Sequence, residues 1–259
     1  MDFLHGAGAF AAAFAAGVIN SVAGGGTLVS FPALIWLGLP SVTANATSTV
    51  AIWPGAVSSM VGYRRELRST PMRLVSLVLP GLIGGLAGAL LLKKTPPKLF
   101  DALVPFLILF ATLLFLVQDQ VQRRLKRINA EAHKSWRWLA GAMVFQLFVG
   151  LYGGYFGAGI GILMLSALAI LGMTDIHQMN GLKNFFGLSI NGIAAVYFVV
   201  AGMVYWPDVA LMAVGAIAGG YGGAGAARRM GRQFVRRVVV FIGFAMAVML
   251  FVKFARQRG

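Results

Sequence analysis

Apolar segments separated by short charged breaks run the length of this chain, and this alternation constrains the fold more than any other feature. The apolar stretches fall at about 6–39, 44–62, 72–92, 99–117, 136–173, 179–201, 207–227 and 235–254. Only 11% of the residues are charged, whereas about 25% is usual in a soluble domain. About 20 apolar residues cross a bilayer core, where backbone groups must pair within each segment. The pattern therefore predicts an all-α polytopic membrane protein.

The net charge of +15 belongs to the breaks, because the basic residues cluster in short stretches between the apolar segments. Short basic loops are typical of the cytoplasmic side of a membrane protein, where they also meet anionic lipid headgroups. We therefore expect membrane lipid as a partner and no nucleic acid. The chain has no cysteine, which excludes disulfides, iron–sulfur clusters and thiolate metal sites. Its three histidines are scattered without metal-ligand spacing, so we expect no metal and no cofactor.

The order of the segments occurs twice, which indicates an internal duplication. In each half, a long segment interrupted by glycines precedes three segments of ordinary helix length. We predict a first transmembrane repeat at 1–117, a basic cytoplasmic linker at 118–135 and a second transmembrane repeat at 136–259. The N-terminal stretch has a counterpart in the second half, so we expect it to stay in the mature protein. The local matches are Phe14 with Phe148, Gly25 with Gly159, Gly38 with Gly172 and Asn45 with Asn180.

The two long segments have 34 and 38 residues, too many for one straight crossing at about 1.5 Å per residue. If each is a re-entrant hairpin, loops 63–73, 118–138 and 227–237 share one side and carry 15 Lys and Arg residues. Loop 93–98 and the C-terminus then share the other side and carry 6 Lys and Arg residues. If each long segment crossed once, the two sides would carry 13 and 8. The positive-inside rule favours the hairpins. We therefore predict inverted repeats, with the N-terminus and loop 202–208 facing outward.

Dense glycine clusters interrupt both long segments, at Gly24–Thr27 and at Gly153–Gly161, with the polar residues Asn20, Ser21 and Tyr152 nearby. Glycine permits a helix to unwind and to expose backbone N–H groups. Two half-helix N-termini directed at one point would form an anion site. The remaining glycines in apolar segments are interpreted as helix-packing positions: Gly81, Gly84, Gly85, Gly88, Gly215, Gly219, Gly220, Gly222, Gly223 and Gly225.

A polar series follows each glycine cluster. In the second half the series has helical spacing along one face and comprises Asn180, Lys183, Asn184, Gly187 and Asn191. In the first half the equivalent helix begins with Asn45, Thr47, Ser48 and Thr49 and is bent by Pro54. A charge at mid-membrane costs about 2.5–3.5 kcal/mol, so Lys183 favours a polar cavity that accepts an anion. Snorkelling to the interface is the alternative for Lys183, and hydrogen bonding between helices is an equal alternative for Asn191.

Three further residues have two interpretations each. Interface anchoring accounts for most of the tryptophans and tyrosines, but Trp53 lies well inside its helix, where lining the cavity is the other interpretation. Asp175 and His177 stand at the start of the polar helix in the second half. Helix capping or solvent exposure is favoured for them over proton coupling.

These same residues carry a resemblance to the sulfite exporter TauE/SafE family. Ala23–Leu28 (AGGGTL), Phe31–Leu34 (FPAL) and Ala44–Ser48 (ANATS) resemble the first half of that family. Gly153–Gly161 (GGYFGAGIG) and Met179–Asn184 (MNGLKN) resemble the second half, so the similarity covers essentially the whole chain. It implies transport of small sulfur-containing anions such as sulfite, sulfoacetate or related sulfonates, usually outward. Some members of the family move other organic anions or act in uptake.

One departure from the family pattern is Ser166, which stands where the second repeat often has proline. The departure concerns the geometry of the second hairpin and does not affect the resemblance to the family.

Together these observations predict a secondary transporter, an exporter of small sulfur-containing anions, in the bacterial inner membrane. We expect alternating access, in which the two halves open a site near the bilayer midplane first to one side of the membrane and then to the other. The predicted substrate-binding residues are Asn20, Gly25, Gly26, Thr27, Asn45, Thr47, Ser48, Tyr152, Gly157, Gly159, Gly161, Asn180, Lys183, Asn184 and Asn191. The sequence has no nucleophile elbow, zinc-protease motif or P-loop, so we expect no enzyme activity. A non-transporting scaffold or a subunit of a larger complex is the alternative, and a homodimer is compatible with the sequence.

Overall fold

The computed structural model is all-helical over the residues that it describes, which are 3–22, 25–62, 72–125, 136–171, 173, 176–230 and 232–256. This part contains ten helices of at least ten residues, a one-turn helix and no β-strand. The helices are α1 Phe3–Val22, α2 Thr27–Trp36, α3 Ser41–Gly62, α4 Met72–Val75, α5 Val78–Lys94, α6 Pro97–Leu125, α7 Trp136–Tyr155, α8 Ile160–Ile170, α9 Ile176–Val200, α10 Trp206–Met230 and α11 Arg232–Arg256. The predicted all-α fold is confirmed, and α6 continues into the first residues of the predicted linker.

Several helices are suited to a bilayer by their length and their apolar surface. Among the described residues, the spans Phe3–Asn20, Pro97–Val117 and Gln178–Val200 are long and apolar enough to cross one. Large apolar side chains also lie exposed on other helices, including Ile83, Tyr221 and Phe241 at 65%, 72% and 74% exposed. An apolar outer surface of this extent fits hydrocarbon, as expected for a polytopic membrane protein.

The first long segment is a hairpin that turns at its glycine cluster. Gly25 takes φ +95°, a left-handed conformation that residues with a β-carbon rarely adopt. Gly26 then packs on the backbone of α1, and Leu37 at the far end of α2 lies beside Gly8 near the start of α1. Helix α2 therefore runs back along α1, as the hairpin alternative predicts.

The second long segment breaks at the corresponding place, between α7 and α8. Gly157 and Gly159 have φ of +80° and +78°, so Gly159 and its predicted counterpart Gly25 share a left-handed conformation. The Tyr152 hydroxyl donates a hydrogen bond to the Ala158 carbonyl oxygen at 2.8 Å, which fixes the turn. Both glycine clusters that the sequence identified are therefore helix breaks.

Ser166 lies within α8 and does not interrupt it. Its hydroxyl donates to the Ile162 carbonyl oxygen at 2.9 Å, one turn earlier. A proline at 166 would lack the backbone N–H that pairs with that carbonyl. The serine hydroxyl instead adds a donor to it, so the departure from the family pattern leaves α8 continuous.

The two halves are joined through equivalent helix pairs. Helix α1 of the first half packs most extensively on α10 of the second, and α7 of the second half packs on α5 of the first. Helix α3 contacts α9, and α6 contacts α11, and each of these pairs consists of counterparts in the repeated segment order. When each helix is replaced by its counterpart in the other half, these contacts are exchanged with one another. An internal duplication predicts this correspondence.

Glycines allow α5 and α7 to pack backbone against backbone. A β-carbon on Gly154 would overlap the Gly85 carbonyl oxygen, and one on Gly84 or Gly88 would overlap a carbonyl oxygen of α7. A β-carbon on Gly81 would lie 3.2 Å from side-chain atoms of α7 and α9. Packing this close requires small residues, as in other membrane helix pairs. The packing interpretation of these four glycines is confirmed.

Helix α1 meets α10 in the equivalent way. A β-carbon on Gly17 would overlap the Ala216 carbonyl oxygen, and one on Gly219 would overlap that of Phe14. The packing interpretation is therefore confirmed for Gly215 and Gly219, which both face backbone atoms of α1. The surroundings of Gly222, Gly223 and Gly225 lie outside the described contacts.

Several interhelix connections lie at one common end of the helices. His5 near the N-terminus contacts the buried Asp208 carboxylate, with Nε2 2.9 Å from Oδ1. The Lys93 ammonium donates to the Ala201 carbonyl oxygen at 3.4 Å. The N-terminus, loop 93–98 and loop 202–208 therefore share one end. These three regions lie at the same end if both long segments are hairpins. If each long segment crossed once, loop 93–98 would lie at the opposite end.

The glycine packing leads to a stability prediction. Gly154→Ala is expected to lower the melting temperature of the purified protein in detergent, because its β-carbon would overlap the Gly85 carbonyl oxygen. Overpacking of this kind costs about 1–3 kcal/mol. Gly141→Ala is the matched control in the same helix, since a β-carbon there meets no atom within 4 Å. Equal melting temperatures for the two variants would contradict the close packing of α5 on α7.

Candidate functional site

The two helix breaks open onto one cavity of about 110 Å³. Nine of the predicted substrate-binding residues line it: Asn20, Gly25, Thr27, Gly157, Gly159, Gly161, Lys183, Asn184 and Asn191. The cavity is also lined by Ile52, Ala56, Ile160, Met164, Gly187 and Leu188. Residues far apart in sequence, on α1, α2, α3, α8 and α9, therefore meet at one site.

Two helices begin at the cavity wall. Helix α2 starts at Thr27 and α8 starts at Ile160, and both residues line the cavity. The first N–H groups of a helix have no acceptor within it, and its N-terminus carries roughly half a positive charge. Two such N-termini at one cavity favour a negatively charged occupant.

Asn20 both closes the first break and faces the cavity. Its side-chain oxygen accepts a hydrogen bond from the Gly26 backbone N–H at 2.7 Å. This bond ties the start of α2 to the end of α1. Because the oxygen is occupied, the amide NH₂ is the part of Asn20 that can donate to an anion.

Lys183 reaches the cavity from α9 and lies half-buried against the second break. Its side-chain carbon Cδ would stand 3.3 Å from a β-carbon on Gly161, so the aliphatic stem lies over the start of α8. Asn184 lies next to it on α9, and both residues line the cavity. The structure therefore puts an ammonium-bearing side chain and an amide on the wall that also contains the N-terminus of α8.

Asn191 lies two turns further along α9 on the same face. Its side-chain oxygen would be 3.5 Å from a β-carbon on Gly157, which puts the amide at the second break. Gly187 lies between Lys183 and Asn191 and leaves open space, because a β-carbon there meets no atom within 4 Å. The predicted polar face of this helix does turn toward the cavity.

The remaining predicted residues lie outside the cavity lining, and several form hydrogen bonds between the helices around it. Asn45 donates through Nδ2 to the Tyr155 carbonyl oxygen at 3.0 Å, at the end of α7. The Ser48 and Ser30 hydroxyls are 2.7 Å apart, which joins α3 to α2. Thr47 accepts a hydrogen bond from the backbone N–H of Tyr205 at 2.9 Å. The others outside the lining are Gly26, Tyr152 and Asn180.

Trp53 joins α3 to α9 beside the cavity and is not part of the lining. Its indole N–H donates to the Leu188 carbonyl oxygen at 2.9 Å, and its ring faces Gly192. Trp53 and Leu188 are 135 residues apart, the same separation as Asn45 and Asn180. Trp53 therefore contacts its own counterpart, where the two halves meet. Asp175 and the side chain of His177 lie outside the described residues, and their role stays a prediction.

Sequence reasoning missed the apolar part of the lining, which includes Ile52 and Ala56 of α3. These residues precede Gly187 and Asn191 by 135 positions, the separation of the duplicated helices. The duplication therefore contained the signal that identifies them. Their apolar character gave no reason to separate them from ordinary core residues.

Comparison with known proteins identifies a family. The family model described as "Sulfite exporter TauE/SafE" matches residues 9–250. A "Probable membrane transporter protein" of Haemophilus influenzae is 28% identical over 92% of this chain and 91% of its own length. The "Probable membrane transporter protein ORF9" of a Sinorhizobium species is 25% identical, over 93% of this chain and 90% of its own. "Probable membrane transporter protein YfcA" of Escherichia coli K12 is 24% identical, over 93% and 87%. No solved structure matches the chain.

The turn at the second break leads to a prediction about the structural role of the Tyr152 hydroxyl. Tyr152→Phe is expected to lower the melting temperature, because it removes the hydrogen bond to the Ala158 carbonyl oxygen. The loss of one such bond costs about 0.5–1.5 kcal/mol. Tyr197→Phe is the matched control, since the Tyr197 hydroxyl makes no hydrogen bond within the described part of the chain. Equal melting temperatures in detergent would show that the Tyr152 hydroxyl does not hold the turn.

Proposed function

This chain belongs to the sulfite exporter TauE/SafE family, and on that basis we propose that it is a secondary transporter that exports small sulfur-containing anions. Sulfite and organosulfonates are the substrates that we propose. The observation that carries the proposal is the cavity where Lys183 and the starts of α2 and α8 meet. The names of the relatives indicate a membrane transporter and not an enzyme.

The charges around the cavity support an anion as the cargo. Each helix N-terminus contributes roughly half a positive charge, and Lys183 contributes a full ammonium on the same wall. The side-chain amides of Asn20, Asn184 and Asn191 add neutral donors. An oxyanion that leaves water for this cavity exchanges its hydration for N–H groups, which is how broken-helix transporters hold anionic substrates.

The membrane potential gives the proposed direction. An inside-negative potential drives an anion outward with about 2.3 kcal/mol per charge per 100 mV. A uniporter therefore suffices for export, whereas uptake would need a coupled cation. The sequence contains no P-loop for ATP, in keeping with transport that runs on gradients.

We propose that the two halves are inverted repeats related by a two-fold axis in the plane of the bacterial inner membrane. The equivalent contacts of α1 with α10 and of α7 with α5 support this arrangement. The contact of Trp53 with its counterpart Leu188 supports an axis at the crossing of α3 and α9. The basic loops then lie in the cytoplasm, in keeping with the positive-inside rule.

We further propose, from the glycine packing, which helices move together during alternating access. Helices α1 and α10 interlock backbone to backbone, as do α5 and α7. We define body A as α1, α2, α3 and α10, and body B as α5, α7, α8 and α9. The cavity is lined by these two bodies alone within the described part of the chain, and α3 and α9 form the main contact between them. Each proposed moving body therefore combines helices of both sequence halves.

The proposed role of Lys183 is tested by anion flux in proteoliposomes. Lys183→Gln is expected to weaken substrate affinity by about 10–150-fold, since hydrogen bonds to charged groups contribute about 1.5–3 kcal/mol. Lys98→Gln is the matched control, because Lys98 lies exposed at the start of α6. Unchanged flux and affinity in Lys183→Gln would remove this residue from the site. Absence of flux in the wild type for every anion would favour the scaffold alternative.

The composition of the moving bodies is tested with spin labels, for which the absence of native cysteine is an advantage. The exposed residues Leu4 on α1, Tyr221 on α10 and Ile83 on α5 accept the labels. We expect the distance between Leu4 and Tyr221 to stay constant when substrate is added, because both belong to body A. The distance between Leu4 and Ile83 is expected to change, although both residues belong to the first half. Double electron–electron resonance measures both distances. A constant distance between Leu4 and Ile83, with a changed distance between Leu4 and Tyr221, would mean that the sequence halves move as units.

A further inference from the structure

A pocket of about 520 Å³ lies away from the helix breaks, and we call it the end pocket. It is lined by the connection between α2 and α3, the start of α6 and Leu250 near the end of α11. The connection lies at the end of the helices that holds the N-terminus, because Leu37 lies beside Gly8. Loop 93–98, which leads into α6, lies at the same end. Pockets of about 300–1,000 Å³ hold organic ligands, so the end pocket has the size of a binding site.

The end pocket presents both signs of charge. Asp101 is the one charged side chain among the described residues that line it, and the Ser41 hydroxyl donates a hydrogen bond to its carboxylate. The bond orients the carboxylate, which keeps lone pairs for a further donor. Ser41 and Pro97 are the first residues of α3 and α6, so two helix N-termini also lie at the pocket. A helix N-terminus favours negative charge, whereas Asp101 favours positive charge, and a zwitterionic ligand matches both.

Much of the remaining lining is apolar and incompletely covered. Ile35, Leu39, Val42 and Leu250 line the end pocket, and each is only half-buried. Apolar surface of this kind favours a hydrocarbon group over water. A ligand that fills the pocket therefore needs an apolar part next to its charged groups.

Exposed apolar side chains adjoin the end pocket. Leu99 and Leu103 of α6, two residues to either side of Asp101, are exposed, and so is Met249 beside Leu250 of α11. These side chains belong to the apolar outer surface that fits the hydrocarbon of a bilayer. An occupant with a long chain can therefore extend from the pocket along this surface.

Aromatic residues indicate the depth of the end pocket in the membrane. Trp36, next to Ile35 at the end of α2, is exposed, and Tyr205 and Trp206 are exposed at the same end of the helices. Exposed tryptophan and tyrosine are typical of the membrane–water interface, where lipid head groups lie. A phospholipid matches these features better than a soluble metabolite, because it supplies charged groups at this depth with a hydrocarbon chain beside them.

We propose that the end pocket binds one phospholipid whose head group carries a primary ammonium, as in phosphatidylethanolamine. The ammonium pairs with Asp101, the phosphate lies at the starts of α3 and α6, and an acyl chain covers Leu250. A primary ammonium donates N–H groups to a carboxylate, whereas the quaternary ammonium of phosphatidylcholine has none to donate. Phosphatidylglycerol supplies the phosphate without a cation. This lipid site does not depend on which anion the cavity at the helix breaks accepts.

The first test measures lipid binding to the purified wild-type protein in detergent by native mass spectrometry, with lipids of identical acyl chains. Phosphatidylethanolamine is expected to bind about two- to fivefold more tightly than phosphatidylcholine or phosphatidylglycerol, the range of an exposed ion pair. Soluble glycerophosphoethanolamine is expected to bind far more weakly, because it lacks the acyl chains. Equal binding of the three lipids would overturn the recognition of the ammonium. Equal binding of the lipid and the soluble head group would overturn the lipid as the occupant.

The second test changes the carboxylate. Asp101→Asn keeps an oxygen that can accept the Ser41 hydroxyl and removes the charge, so the preference for phosphatidylethanolamine is expected to disappear. Asp119→Asn is the matched control and is expected to keep the preference. It makes the same substitution on α6, 18 residues further along and therefore about 27 Å away. An unchanged preference in Asp101→Asn, or an equal loss in both variants, would overturn the role of Asp101. The wild-type lipid series decides the proposal independently if Asp101→Asn does not fold.

Discussion

A helix break exposes backbone N–H and C=O groups that have no partner within the helix, and the structure depends on how its two breaks are satisfied. The Gly26 N–H is paired with the Asn20 side chain, and the Ala158 carbonyl oxygen is paired with the Tyr152 hydroxyl. The carbonyl of Tyr155, at the end of α7, accepts a bond from Asn45 of the opposite half. These bonds satisfy part of each break, and Thr27 and Ile160, the first residues of α2 and α8, line the cavity. The candidate site therefore lies where the two helix starts meet.

Close packing keeps the two breaks in register. The backbone of α7 interlocks with α5 through Gly85 and Gly154, and the backbone of α1 interlocks with α10 through Gly17 and Gly219. Such contacts fix the long arm of each hairpin to a helix from the other half. Helix α6 lies against both breaks, because the Phe115 ring faces Gly25 and Ala111 faces Gly159. The hairpins thus have rigid support on their outer sides and an open cavity on their inner sides.

Much of this arrangement follows from the sequence, and the remainder depends on how each helix is rotated. Dense glycine clusters beside polar residues, in segments too long for one crossing, identified both breaks, which contain Gly25 and Gly159. Helical spacing also identified the polar face of α9 that contains Lys183. Spacing does not reveal which face of a helix turns toward a cavity and which toward a neighbouring helix. For this reason Ser48, which pairs with Ser30, was assigned to the site, and the apolar residues of α3 were not.

The asymmetry of the cavity has a physical consequence for a duplicated transporter. Identical halves would supply two lysines or none, and two would repel each other in one small cavity, whereas none would leave only the helix N-termini to hold a charge. This chain has Lys183 on α9 and Ser48 at the equivalent position of α3, where it contacts Ser30 of α2. Under the proposed function, an anion then binds in one orientation, with its head toward α9. On the same proposal, the two-fold arrangement of helices would provide the two access routes, and the divergence of their side chains would make the site itself directional.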